Sequence, residues 1–80
     1  MASHSVEQVV RTVIGEVLTI DAARIDDGDH IMDDLGADSL HMIEIQMTLE
    51  EKLGIEIPDE EADQLHVVGN AVHWIEDHLA

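Results

Sequence analysis

No cysteine, tyrosine or phenylalanine occurs anywhere in this 80-residue chain, and its aromatic side chains are reduced to Trp74. Without cysteine there can be no disulfide and no thiolate metal ligand. With one aromatic, a core has to be assembled from Val, Ile, Leu, Met and Ala, which favours helices meeting through aliphatic stripes. Positive charge is almost as scarce: Arg11, Arg24 and Lys52 face 19 Asp and Glu, for a formal net charge of −16. Nucleic acid and anionic membranes would repel such a chain, whereas basic protein surfaces would attract it, fastest at low salt. Long apolar runs are missing too. No stretch reaches the length needed to cross a bilayer, and the N-terminus lacks the apolar core of a signal peptide, so a soluble, cytoplasmic protein is expected. At this length residues 1–80 read as one small domain, a monomer, with a core too thin for a large enclosed active site.

What is present is helical periodicity. Ser5 and Gln8 are spaced as a capping box, and Val6, Val9, Val10, Val13, Ile14, Val17 and Leu18 recur at helical spacing, predicting a first helix over about Val6 to Leu18. From Asp21 to Gly36 the apolar residues Ile25, Ile31, Met32 and Leu35 keep no period, and this reads as a long ordered loop, a length uncommon in a compact domain unless it serves a function. A second helix is expected from Ser39 to Leu53, capped by Asp38 or Ser39 and stopped by Gly54. Pro58 suits the start of a short third helix, Asp59 to about Gln64, whose first turn carries Asp59, Glu60 and Glu61 where the helix dipole favours acids. A fourth, about Val68 to Leu79, turns Val68, Ala71, Val72, Ile75 and Leu79 inward. The expected fold is all-α: a four-helix bundle with a long loop between helices one and two and a short third helix.

The second helix has two apolar faces. At about 100° per residue, Met42, Ile45, Leu49 and Leu53 gather on one side, and Leu40, Ile43 and Met47 on nearly the opposite one. A helix in so small a bundle ordinarily buries one face, so the second either completes the core against the third helix or binds a partner. Glu44 and Glu51 fall beside the Leu40, Ile43 and Met47 stripe, with Glu50 near its other edge. An apolar strip rimmed by carboxylates suits a partner that presents Lys or Arg around an apolar groove.

At the start of that helix, the run Asp33-Asp34-Leu35-Gly36-Ala37-Asp38-Ser39-Leu40 sets one serine where a glycine-containing loop gives way to helix. Exposed amides and the positive end of the dipole favour an anion there, so the Ser39 hydroxyl is well placed to carry a phosphate ester. A second run, Glu50-Glu51-Lys52-Leu53-Gly54-Ile55-Glu56-Ile57-Pro58-Asp59-Glu60-Glu61-Ala62, leads into the short third helix. Both runs, at this separation in an acidic chain, closely resemble the acyl carrier proteins in the Leu-Gly-Ala-Asp-Ser-Leu form common in bacterial fatty acid synthesis, and the resemblance covers essentially the whole chain. It implies a carrier rather than an enzyme. A phosphopantetheinyl transferase would esterify Ser39 with 4'-phosphopantetheine, and the arm's thiol would hold acyl chains as thioesters for the basic-surfaced enzymes of fatty acid biosynthesis. By the same resemblance Asp38, Leu40, Ile43, Glu44, Met47, Glu51, Ile57 and Asp59 face partners; His41, beside the attachment loop and unlike the acid expected there, is read as tuning partner choice. Ile45, Leu49, Leu65 and Ala71 would line a space for the acyl chain or simply pack the core.

Three positions depart from the family pattern: His41 stands where an acid is usual, Val67 where a capping Thr or Ser is usual, and Ile31 where Phe is frequent. They keep open a specialised carrier of polyketide, lipid A, or other acyl or aminoacyl groups, and the residues alone also allow an unmodified acidic interaction module. A relay of Ser39, Asp38 and His41 is disfavoured because residues two apart on a helix point to different sides, so no catalytic residue is expected. His4, His30, His41, His66, His73 and His78 form no i,i+4 pair on a predicted helix and have no cysteine to complete a site, so no metal is expected and the rings are read as solvated. The Asp26-Asp27-Gly28-Asp29 segment lacks the register of a calcium loop. Trp74 reads as a core edge.

Overall fold

The computed structural model describes residues 3–79, with side chains described from Val6 onward. Three α-helices, α1 (Ser3–Leu18), α2 (Ser39–Leu53) and α3 (Val68–Leu79), and the longer of two 3-10 segments, Asp59–Leu65, give the all-helical, four-helix arrangement. Among the described residues the extended pairing is a single isolated bridge between His30 and Val67. α1 packs against both α2 and α3, and the 3-10 helix packs on α3.

α1 begins ahead of the expected start at Val6, and the side chain of Ser5, its expected cap, lies outside the described residues. Its aliphatic stripe buries Val10, Val13 and Ile14 completely. Gly15 sits on the same side because the chain doubles back beneath it: the Ile20 N–H donates to the Gly15 carbonyl at 2.9 Å, and a Cβ on Gly15 would meet the Ile20 carbonyl oxygen at 2.8 Å. Only glycine allows that approach.

The segment between α1 and α2 is ordered, as expected, but not without regular structure. It contains a 3-10 turn, Ala22–Arg24, capped by the Asp21 side chain, and it sends Ile25 and Ile31 into the core. It is also laced to the start of α3. The Val68 N–H donates to Asp29 O at 3.1 Å, the Gly69 N–H to Asp27 O at 2.8 Å, and the Ile31 N–H to His66 O at 2.8 Å. First-turn amides of a helix need partners; here loop carbonyls serve two of them, so Val67 can stand where a side-chain cap is usual. Arg11 pins the same loop from α1, pairing with Asp27 as well as with Glu7 at 3.2 Å.

The short third helix, expected from Asp59 to about Gln64, is a 3-10 helix that runs one residue further, to Leu65, a side chain 1% exposed that anchors it, and one burial expectation is corrected. Leu79, expected inward, is 46% exposed because it lies a turn past Ile75, where the buried cluster of α3 ends. Trp74 takes the edge of that cluster instead: it is buried, its indole N–H donates to Glu61 Oε1 at 2.8 Å, and His78 stacks on it.

Candidate functional site

The path to Ser39 is fixed by three backbone decisions. Gly36 adopts φ 81°, a left-handed conformation that a side chain would strain. Ala37 then turns inward, nearly fully buried, and donates its N–H to Ile31 O at 3.1 Å. Asp38 follows in extended conformation as the N-cap of α2, leaving Ser39 as the first helical residue. Of the two residues expected to cap, Asp38 is therefore the one that does.

Asp38 and His41 cap α2 reciprocally. The His41 N–H donates to Asp38 Oδ1 at 2.9 Å, and the Asp38 N–H donates to His41 Nδ1 at 3.2 Å, a capping box with imidazole in the place usually held by Glu or Gln. The His41 N–H holds the Asp38 carboxyl below the ordinary aspartate range, against a smaller opposing desolvation and with help from charge on the ring. Ser39 stands between them, exposed, and its hydroxyl makes no side-chain hydrogen bond among the described residues.

Below this turn the two faces of α2 separate as its sequence predicts. Ile45 and Leu49 are each 1% exposed, while Leu40, Ile43 and Met47 are 66%, 53% and 57% exposed. Burying a residue of this size is worth about 1.5–3 kcal/mol, which these three side chains forgo, and their exposure removes the reading in which Ile43 and Met47 complete the core. Glu44, Glu51 and Asp59 are exposed alongside them. Ile57 is not: at 3% exposure it belongs to the core, held there from both sides. Glu50 Oε2 accepts its N–H at 2.7 Å, and Gln46 Nε2 donates to its carbonyl at 3.1 Å. Glu50 is thereby withdrawn from the acidic rim, and together with Gln46 it clamps the segment before Pro58 against α2. Ile43, Met47, Pro58 and Asp59 line the open groove that results. Neither clamp is visible in the sequence, because each needs the fold to bring position 57 beside α2.

The histidines are less uniformly solvated than expected. His73 and His78 are exposed, whereas His30, His41 and His66 are half-buried. His30 accepts from the Asp33 N–H at 3.2 Å and lies 5.8 Å from His66, centroid to centroid. The Asp26-to-Asp29 segment is structural, with the Asp26 N–H bonded to Asp29 Oδ2 at 2.9 Å. Ile45, Leu49, Leu65 and Ala71 sit at 1% exposure as packed core.

Compared with known proteins, residues 8–75 match the family described as the phosphopantetheine attachment site. Acyl carrier protein from Helicobacter pylori (strain G27) is 48% identical over 68 residues, covering 85% of this chain and 87% of that one. Acyl carrier protein from Helicobacter acinonychis (strain Sheeba) is 50% identical over 68 residues, with the same coverage. The chain belongs to the acyl carrier protein family. As an acyl carrier protein it is not an enzyme, and its role entails interaction with a phosphopantetheinyl transferase and with acyl-processing enzymes. The cofactor of this acyl carrier protein is phosphopantetheine, and the start of α2 fits it: an exposed serine at a helix N-terminus, whose hydroxyl makes no side-chain hydrogen bond among the described residues, can take a phosphodiester without displacing such a bond. When bound, the group supplies a thiol that holds an acyl chain as a thioester, chemistry that no side chain of a cysteine-free chain provides.

Proposed function

We propose that Ser39 Oγ carries the phosphopantetheine arm and that the chain delivers acyl thioesters to the enzymes of fatty acid biosynthesis. One observation carries the assignment: Ser39 is the sole serine within residues 8–75, the stretch matched by the attachment-site family. Its exposure and its place at the N-terminus of α2 support it. The docking surface is the exposed stripe of Leu40, Ile43 and Met47 with Asp38, His41, Glu44, Glu51 and Asp59 around it; Ile57 contributes by holding the groove's far wall rather than by side-chain contact. Partners meet this surface with Lys and Arg, as a net charge of −16 favours. The carrier works as a single-domain monomer in the cytoplasm and has no affinity for nucleic acid or membranes.

The test is loading by a phosphopantetheinyl transferase with coenzyme A and magnesium, followed by intact mass. The native chain gains one arm, and Ser39→Ala gains none while keeping its helical circular dichroism, since Asp38 still caps α2. An alanine variant that still gains the arm would move the attachment elsewhere.

A further inference from the structure

Ser39 is flanked by the two members of a capping box, and one of them is an imidazole, a ring that can gain a proton. Glu or Gln at the third helical position offers an oxygen acceptor at all neutral pH values. His41 offers Nδ1, which accepts only while it carries no proton. Nδ1 lies 3.2 Å from the Asp38 N–H, and a box closed by that bond requires the neutral ring with its proton assigned to Nε2.

Protonation rearranges this turn. Nδ1 becomes a donor, the Asp38 N–H loses its acceptor, and the ring is drawn to Asp38 Oδ1, 3.2 Å away, the same oxygen that already accepts the His41 N–H. A cation at a helix N-terminus also opposes the dipole, and it reduces negative charge where a basic partner must approach. Among the described residues the ion pair of the ring is with Asp38. On α2, Glu44 lies one turn further on; in the preceding loop, Asp33 and Asp34 are engaged with His30; and from α1 and the 3-10 helix no ionisable side chain among the described residues pairs with the ring.

We propose that His41 is a positioning residue for transfer of the arm to Ser39: its neutral imidazole closes the capping box that sets the first turn of α2, and protonation opens the box and slows loading. The proposal rests on Ser39 being the attachment residue. It makes a pH-dependent step of a position at which an acid would leave loading insensitive to pH in this range.

His41→Gln keeps an acceptor at the same position without titrating. The unloaded wild type and this variant are loaded by one transferase between pH 8 and pH 6, so the enzyme's own titration cancels in the ratio of rates. The expected result is a ratio of wild type to variant that falls at least twofold toward pH 6. The Asp38 backbone amide signal should move over the same interval in the wild type and hold still in His41→Gln. His41→Glu, with a charged acceptor, should load at pH 6 at least as fast as His41→Gln. A flat ratio, or an Asp38 amide indifferent to pH in the wild type, overturns the role of His41 while leaving Ser39 assigned. A wild type that gains no arm at any pH removes Ser39 itself and the proposal with it.

Discussion

Asp38 shows how much a single surface residue can be asked to do. It ends the loop in extended conformation, caps α2 with its carboxylate and receives the imidazole of His41, all while remaining exposed. Its lowered pKa fixes the sign of its contribution. A carboxyl whose folded-state pKa lies below its unfolded value stabilises the fold fully above the unfolded value, about 3.9, and loses that contribution as pH falls through the folded value. Asp38→Ala is therefore expected to be less stable than the wild type at pH 7, with the gap closing in urea titrations as the pH is brought below the ordinary aspartate range. A gap that stays constant into acid would mean the carboxylate charge plays no part in the cap. The start of α2 at Ser39 was legible in the sequence, with its cap narrowed to Asp38 or Ser39, because a short polar residue before an apolar period is a local signal. The roles of Gln46 and Glu50 were not, since both depend on a contact between α2 and residue 57 that no local pattern encodes.

Among the elements, α2 was the most readable: two stripes in the sequence became one buried and one exposed face. The α1–α2 segment was the least readable. Its order comes from two isolated isoleucines and from carbonyls paired with α3 amides, neither of which leaves a periodic trace. Backbone bonding of this kind also decided the start of α3, where sequence alone expects a capping side chain and finds Val67. The end of α1 offers the sharper test of how closely these elements fit. Gly15→Ala would place a methyl group 2.8 Å from the Ile20 carbonyl oxygen, and a backbone atom cannot move aside as a flexible side chain would. Overpacking of this sort costs about 1–3 kcal/mol. In a chain this small that is a large share of total stability, and a clear drop in the urea midpoint is expected even though alanine is the better helix former. An unchanged midpoint would show that the reversal after α1 is looser than its geometry indicates.

Across the whole molecule, charge and shape divide the work. In the proposed docking, a net charge of −16 draws basic partners from a distance, and the exposed apolar stripe on α2 gives them a surface to bury on arrival. Replacing Glu44 and Glu51 together by Lys should slow loading by a transferase severalfold at low salt and much less at high salt, where steering is screened. Stability should hold or rise, because both side chains are exposed and their removal relieves repulsion; a variant that unfolds would make them structural instead. Composition and pattern sufficed for the all-helical class and for the attachment motif, whereas the chemistry of the capping box appeared only once His41 and Asp38 were seen to exchange hydrogen bonds. The central claim, that Ser39 holds the arm, is tested most directly by loading the wild type, digesting it and locating the added mass by peptide fragmentation. The account predicts the whole modification on the peptide containing Asp38-Ser39-Leu40, localised to Ser39; an arm found on any other residue, or no modification at all, would contradict it.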